Sequence, residues 1–269
     1  MIEEQADPVG ADMRAHIEGW LARIEREEGV RVLYAAESGS RAWGFGSPDS
    51  DWDVRFVYVH PRNWYLGLAE ERDVIERPLD ERLVDLAGWD VRKALRLLLR
   101  SNPALYEWLS SPIVYRDDGA FRARAEPLFA AHASANTLAH HYHSIARGQW
   151  KREIDGQDAV RLKKYFYVVR PLLSLRWVDE HGTVPPMNIH ELLDACPLPE
   201  DVAPAVADLL DRKRTTPELG RGARIPAIDR WALEALDHLD PAGRGLPDQP
   251  SMPQTRHAAD ELFRATAGL

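Results

Sequence analysis

Two short groups of residues between Glu37 and Asp53 have the types and spacing of a catalytic site. Gly39 and Ser40 follow an apolar run, RVLYAA, that predicts a buried strand. A Gly-Ser pair opening a short helix lets the backbone approach a phosphate, which helix N–H groups and the hydroxyl can bind. Asp51 and Asp53 lie two residues apart, so both side chains face one side if they open the next strand. Such a pair suits Mg²⁺ or Mn²⁺, which also bind triphosphate oxygens.

Three other interpretations of this segment compete with a phosphate and metal site. The alternation from Asp49 to Asp53 matches the start of an EF-hand loop, but Val54 replaces the required glycine and His60 the bidentate glutamate. The glycines between 39 and 46 lack the Lys-Ser/Thr pair of a P-loop and fit no dinucleotide-binding register. A solvated turn stays open on this short pattern, because Asp, Ser, Pro and Gly are ordinary turn residues.

The elements around the segment predict a mixed αβ half. Apolar residues from 11 to 28 recur at helical spacing, and Gly29 is placed to end that helix. Residues 31–36 and 54–59 predict buried strands on either side of the loop. Residues 73–76 and 83–86 flank a turn containing proline and aspartate and predict a hairpin, so the sheet should have at least four strands.

Helical patterns dominate the chain beyond Tyr115. They lie near residues 119–131, 133–150, 158–180, 188–195, 200–213, 226–239 and 255–267. A mixed half followed by helices predicts an α+β protein, with a mixed-sheet core over residues 11–116 and a helical domain over 117–269 that closes over a ligand. Residues 220–224 and 240–254 are rich in glycine and proline and predict loops or a linker.

Composition limits the partners and the compartment. The 34 Lys and Arg against 43 Asp and Glu give a formal net charge of −9, so contact with a polyanion such as RNA requires a local basic patch. The single cysteine, Cys196, cannot form an internal disulfide, which fits a reducing compartment. No segment approaches the roughly 20 apolar residues that span a bilayer. We therefore expect a cytoplasmic protein without membrane contact.

The order strand, Gly-Ser, short helix and Asp-x-Asp resembles the signature of DNA polymerase β-type nucleotidyltransferases. Gly39-Ser40 and Asp51-Trp52-Asp53 carry that resemblance. Longer stretches are similar to the nucleotidyltransferases associated with RNA ligase and RNA repair, and the similarity runs from about residue 30 to about 195. These stretches are SGSRAWGFGSPDSDWDVRF, DLAGWDVRKALRLLLRSNPALYEWLSSPIVY and KKYFYVVRPLLSLRW.

The resemblance implies a third carboxylate on a neighbouring strand, which helps to hold the metal and takes the proton of the attacking hydroxyl. Asp85 fits best because it lies between Val84 and Leu86. Asp90 is the rival, although its position also suits an acid at the start of the following helix. Arg55 departs from the family pattern, which has an apolar residue there, and is expected to face the nucleotide or solvent.

Basic residues of the helical half could hold the triphosphate or an RNA backbone. Four polar residues lie on one predicted helix, and the first, third and fourth share one stripe: Lys163, Lys164, Tyr167 and Arg170. The alternative for these residues is a solvated basic face. A local patch for RNA would come from Lys151, Arg152, Arg161, Arg212, Lys213, Arg214, Arg221 and Arg224.

Together these expectations predict a metal-dependent nucleotidyltransferase. It would move NMP from an NTP to an acceptor hydroxyl on RNA and release pyrophosphate. Gly39, Ser40 and Arg41 would hold the phosphates, while Asp51, Asp53 and Asp85 would bind Mg²⁺ or Mn²⁺. A toxin-like transferase that modifies a protein or tRNA would use the same residues. An inactive nucleotide-binding module is the alternative from another class, and it is favoured if Asp85 lies far from the other two acids.

Overall fold

The computed structural model describes residues 9–69, 71–216, 219–242, 244–246 and 252–269. Within these ranges a five-stranded sheet has the order β3-β4-β2-β1-β5. Its strands are β1 (Arg31–Ser38), β2 (Trp52–Val59), β3 (Val74–Arg77), β4 (Val84–Asp90) and β5 (Val114–Asp117). The pairing of β2 with β4 is parallel, and every other pairing in this sheet is antiparallel. The predicted α+β class with a mixed sheet is confirmed.

Helices precede, interrupt and follow the sheet. In the first half they are α1 (Ala11–Glu28), α2 (Gly39–Ala42), a 3-10 turn (Arg62–Leu66), α3 (Val91–Leu98), α4 (Pro103–Leu109) and α5 (Phe121–His132). In the second half they are α6 (Ala135–Glu153), a 3-10 turn (Leu162–Tyr165), α7 (Phe166–His181), α8 (Ile189–Ala195), α9 (Ala203–Thr215), α10 (Pro226–His238) and α11 (Met252–Ala267). As the helical spacing predicts, α1 ends at Gly29 in the left-handed conformation.

Both faces of the sheet are covered by helices. The buried side chains Ile17, Leu21 and Ile24 of α1 pack on one face, against a cluster that includes Phe56 and Tyr58 of β2. The opposite face packs against α3, α4, α5 and α11. Successive residues of β2 point to opposite faces, so its buried residues contribute to the hydrophobic clusters on both faces of the sheet. The sheet is thereby held rigidly on both sides, which fixes the ends of β1, β2 and β4 relative to one another.

A separate hydrophobic cluster forms the helical half from α6, α7, α8, α9 and α10. One helix predicted there was wrong in part: residues 158–180 comprise β6 (Ala159–Arg161), the second 3-10 turn and α7. The predicted loop over residues 220–224 contains β7 (Arg221–Ala223), which pairs antiparallel with β6. Strands of three residues are too short to show an alternating pattern, so periodicity does not predict them.

The hydrophobic clusters do not divide at residue 117, where the sequence predicts the domain boundary. Phe121 and Phe129 of α5 and Leu262 of α11 belong to the cluster that covers the sheet. The chain therefore enters the helical half after α5 and returns to the sheet with α11. The domain ranges 11–116 and 117–269 stay predictions. Of the predicted linker over 240–254, residues 243 and 247–251 lie outside the described residues, and α11 already begins at Met252.

Across the ranges that the structure describes, no helix combines the length and apolar character needed to cross a membrane.

A close contact inside the sheet generates a stability prediction. Gly88 of β4 pairs with Phe56 of β2, and a Cβ added at Gly88 would lie 2.1 Å from the Phe56 ring. We expect Gly88→Ala to lower the free energy of unfolding by about 1–3 kcal/mol, because the ring must shift within a packed core. Urea unfolding followed by circular dichroism measures the change.

Gly19→Ala is the matched control for that substitution. Gly19 is exposed in the middle of α1, and a Cβ there meets nothing within 4 Å. This variant should raise stability by about 0.5–1 kcal/mol, since alanine favours the helix. Equal effects of the two substitutions would contradict the proposed strain at Gly88.

Candidate active site

Gly39 begins α2 where β1 ends, with a φ of +62°. A Cβ on this residue would lie 2.0 Å from the Asp53 Oδ2 atom, far inside van der Waals contact. Only glycine tolerates both the left-handed backbone and this approach. The Gly-Ser motif is thus in direct contact with the second acid of the Asp-x-Asp motif.

The strand register brings Asp53 between two other site residues. Asp53 of β2 pairs with Ser38 of β1 on one side and with Asp85 of β4 on the other. Asp51 precedes β2, and it lines the same cavity of about 130 Å³ as Asp53. We call this the acid cavity; it is lined by Ser40, Phe45, Ser47, Asp49, Ser50, Asp51, Asp53, Lys163, Phe166, Tyr167 and Lys213.

Asp85 and Asp90 occupy opposite ends of β4. Asp90 pairs with Tyr58, five positions along the register from Asp53, and is fully buried. Its carboxylate caps α3 by accepting the Arg92 N–H at 2.8 Å and accepts the Tyr65 hydroxyl at 2.6 Å. Burial raises the pKa of Asp90. The structure therefore brings Asp85 beside Asp53 and gives Asp90 a structural part at the other end.

Arg55 bridges the neighbouring acids. Its Nη2 donates to Asp53 Oδ1 at 3.0 Å and to Asp85 Oδ2 at 2.7 Å, and its Nη1 donates to the Asp85 carbonyl at 3.0 Å. Arg55 is thus turned toward the two acids rather than toward open solvent, with 19% of its side chain exposed, and its contact with a nucleotide stays a prediction. In the part of the chain that the structure describes, no group of three or more His, Cys, Asp or Glu side chains is placed to bind one metal ion.

The donor set nevertheless fits a divalent cation. Mg²⁺ in phosphate-transfer sites is bound through one or two carboxylates, with substrate phosphates and water completing the shell. Asp51 and Asp53 on one cavity supply such a pair, whereas Asp85 could join only if Arg55 releases it. Burial raises the pKa of Asp53, Arg55 opposes that rise, and the charges of Asp85 and Asp51 add to it. A cation beside Asp53 would favour its ionised form.

Arg41 does not line the acid cavity. Its guanidinium donates to the carbonyls of Ser50 at 2.6 Å, Asp51 at 3.3 Å and Pro48 at 3.4 Å. It also lies 3.8 Å from the centroid of the Trp52 ring, within cation–π range. These contacts fix the loop that carries Asp51, so they give no support to the predicted binding of phosphate by Arg41.

The four polar residues predicted on one helix separate in the structure. Lys163 and Tyr167 line the acid cavity. Lys164 forms an ion pair with Glu153 at 3.3 Å. Arg170 is buried, pairs with Glu107 at 2.8 Å and donates to the Met187 carbonyl at 3.0 Å. Lys163 belongs to the 3-10 turn before α7, and this change of helix type breaks the common stripe.

A sequence model of the RNA repair pathway DNA polymerase beta family (RlaP) matches residues 13–265. The chain belongs to this family. The resemblance carried by Gly39-Ser40 and Asp51-Trp52-Asp53 is thereby confirmed. Membership supports an enzyme of the DNA polymerase β-type nucleotidyltransferase class.

Similarity to individual proteins extends over most of the chain. Protein YcgL of Bacillus subtilis (strain 168), described as uncharacterized, is 42% identical over 234 residues, which cover 87% of this chain and 89% of YcgL. A nucleotidyltransferase-like protein from Exiguobacterium sibiricum 255-15 matches 93% of this chain and 79% of its own at 13% identity, with a TM-score of 0.32. A likeness at that score establishes neither fold nor activity.

This member of the RNA repair pathway DNA polymerase beta family has a lysine in the acid cavity that the sequence analysis assigned elsewhere. Lys213 of α9 is 7% exposed, and its Nζ donates to Ser47 Oγ at 2.6 Å. Its sequence neighbours Arg212 and Arg214 instead favour a place in the predicted basic patch for RNA. A signal existed, because Lys213 follows Val206 and Leu209 at the spacing of the buried face of α9.

Glu37 is a further site residue that the sequence analysis did not identify. It is fully buried in β1, where Oε1 accepts the Asp53 N–H at 2.9 Å and Oε2 accepts the Tyr115 hydroxyl at 2.5 Å. Burial raises the pKa of Glu37 from its ordinary 4.5 to about 7. Glu37 thus fixes the backbone of Asp53 through a buried hydrogen bond.

The raised pKa of Glu37 predicts a pH dependence of stability. A carboxyl whose folded pKa is raised contributes stability that is fully present below pH 4.5 and is lost as pH rises through about 7. The difference from 4.5 to about 7 corresponds to about 3 kcal/mol, which Glu37→Gln should remove from the pH profile. Urea unfolding from pH 4.5 to 8 should show the variant gaining stability relative to the wild type as pH rises.

Glu81→Gln is the control, because Glu81 is exposed in a turn. It should keep the wild-type profile. If Glu37→Gln also keeps that profile, Glu37 does not titrate in this window.

Proposed function

We propose that the protein transfers a nucleoside monophosphate from an NTP to an acceptor hydroxyl on RNA, with Mg²⁺ or Mn²⁺, and releases pyrophosphate. One observation carries the proposal: Asp51 and Asp53 line a single small cavity together with Lys163 and Lys213. Carboxylates that can bind cations and lysines that can bind phosphates suit a triphosphate with its metal. A cytoplasmic location remains a prediction from the sequence.

The residues that line the acid cavity have different proposed roles. Ser40, with its backbone N–H and hydroxyl, would bind the phosphates from the β1 side, and Lys163 and Lys213 would bind them from the helical half. A divalent ion held by Asp51 and Asp53 would neutralise phosphate charge and stabilise the charge that develops in the transition state. The acceptor oxygen then forms its bond to the α phosphorus as the bond to the pyrophosphate oxygen breaks.

Asp85 is the proposed acceptor of the hydroxyl proton. It stands beside Asp53 across the parallel pairing of β2 and β4, and 39% of its side chain is exposed. An exposed carboxylate at the edge of the acid group can be reached by an acceptor. Arg55 would release Asp85 when substrate charge enters, because the same guanidinium can then pair with phosphate.

RNA as acceptor is supported by the family description rather than by surface charge. Several arginines of the predicted patch are ion-paired with neighbours: Arg152 with Glu153, Arg212 with Asp208, Arg214 with Asp211 and Arg224 with Asp229. With a net charge of −9, few phosphate contacts are expected. Incubation with labelled NTPs and either total RNA or a protein extract distinguishes RNA from a protein acceptor.

Asp85→Asn and Asp90→Asn test the choice of the third acid. Asp85→Asn should slow single-turnover transfer by about 10²-fold or more with little change in melting temperature, since a positioned base is lost. Asp90→Asn should spare the rate and cost about 1–2 kcal/mol of stability, because an amide NH2 replaces the buried oxygen that accepts the Tyr65 hydroxyl. Rates and melting temperatures of both variants measure this, and the reverse pattern would reject Asp85.

Lys213→Met tests the contribution of the helical half to triphosphate binding. The apolar stem is kept while the ammonium is lost, so NTP affinity should fall by about 10- to 100-fold, as for a hydrogen bond to a charged group. Arg214→Met is the matched control, because Arg214 is the next residue and is exposed. Calorimetric titration with a non-transferable NTP analogue compares them, and equal affinities would remove Lys213 from the site.

A further inference from the structure

A second cavity, of about 210 Å³, lies between α4 of the sheet half and α6 and α7 of the helical half. Its walls are mainly aromatic, and its polar groups include a buried ion pair. We call it the aromatic pocket; the lining residues that matter here are Trp43, Glu107, Trp108, Tyr142, Tyr167 and Arg170. Nothing in the catalytic proposal uses it.

The aromatic pocket adjoins the acid cavity. Phe166 and Tyr167 line both. The short helix α2 also separates them, because Ser40 lines the acid cavity while Ser38 and Trp43, at its two ends, line the aromatic pocket. A ligand with phosphates in one cavity can therefore extend a flat group into the other around the Tyr167 ring.

The charges of the aromatic pocket argue against a phosphate there. Arg170 is paired with Glu107 at 2.8 Å, so its positive charge is already compensated. Burial lowers the pKa of His141, a further lining residue, which favours its neutral form. With a buried ion pair and a neutral imidazole, the pocket suits an uncharged group better than an anion.

The remaining features match a nucleobase. The Trp43 and Tyr167 rings meet edge to face, with centroids 5.9 Å apart at 81°, and the Arg170 guanidinium lies over the Trp43 ring, 4.6 Å from its centroid. Stacking on such rings is tolerant of the base, since every base has a π face. Glu107 accepts the Trp43 indole N–H at 3.0 Å, and its fixed carboxylate keeps lone pairs for N–H groups on a base edge.

We propose that the aromatic pocket binds a nucleobase attached to the phosphates in the acid cavity or to the terminal nucleotide of the acceptor. The inference rests on the proposed nucleotidyl transfer, because it takes the acid cavity to be the phosphate site. Tyr167 and the neighbouring aromatic residues provide the apolar surface for the base, and Glu107 accepts from the base edge. The pocket lies at the junction of the two halves, where small-molecule sites commonly form.

Ile145→Trp tests the pocket by filling it. Ile145 lies on α6 at the pocket and is 38% exposed, so a larger side chain can enter without displacing the buried core. Leu233→Trp is the matched control, since Leu233 is an exposed apolar residue of α10 that is 50% accessible. The probes are α,β-methylene NTPs, tripolyphosphate and a short oligoribonucleotide with a 3′ hydroxyl, each titrated with Mg²⁺ by calorimetry.

Ile145→Trp should weaken either the NTP analogues or the oligoribonucleotide by about ten-fold, the scale of losing one stacked base, while tripolyphosphate binds as in the control. Weaker NTP binding assigns the pocket to the NTP base, and weaker oligonucleotide binding assigns it to the acceptor.

Unchanged binding of the NTP analogues and of the oligoribonucleotide overturns the pocket assignment. A loss of tripolyphosphate binding equal to the loss of nucleotide binding also overturns it. If the wild type transfers no nucleotide but Ile145→Trp still weakens binding of the NTP analogues and not of tripolyphosphate, the proposed function fails while the pocket assignment stands. If the wild type binds neither nucleotide probe, both proposals fail.

Discussion

The close approach of Asp53 to the backbone at Gly39 is the constraint on which the site depends. A Cβ at residue 39 would lie 2.0 Å from the Asp53 carboxylate, so any other residue would push the acid away from the start of α2. The register then extends that contact across the sheet, from Ser38 through Asp53 to Asp85. The Gly-Ser segment and Asp53 are thus one unit, because neither can move without the other.

Negative charge at this point must be compensated by the protein itself. Glu37 is buried directly beneath Asp53, and burial raises the pKa of both carboxyls. Removing carboxylates from water is costly unless they are paired. Arg55 supplies that pairing through Asp53 and Asp85, while Lys213 of α9 is a further cation that lines the cavity. An incoming triphosphate with its metal would bring both signs of charge, which allows these pairs to exchange partners.

The local pattern predicted the main strands of the sheet well, because a strand has a short-range period. Asp51 and Asp53 line one cavity, and their role in a catalytic site stays a prediction. The α+β class and the family are confirmed. What the sequence could not show were contacts set by tertiary packing. Arg41 binds loop carbonyls instead of lining the cavity, and Arg55 binds the acids. Lys213 is separated from Ser47 by 166 residues, so only the folded chain brings them together.

The polar contacts that join the two halves are made by residues that line the two cavities. Lys213 of α9 reaches Ser47 of the loop before β2, and Arg170 of α7 reaches Glu107 of α4. Phe45 and Phe166 stack with centroids 4.8 Å apart between these polar contacts. Separation of the halves would expose that aromatic pair and leave charges unpaired, both of which are unfavourable. The proposed catalytic acids and the lysines proposed to bind phosphate therefore depend on the same interface, so that docking of the helical half completes the acid cavity.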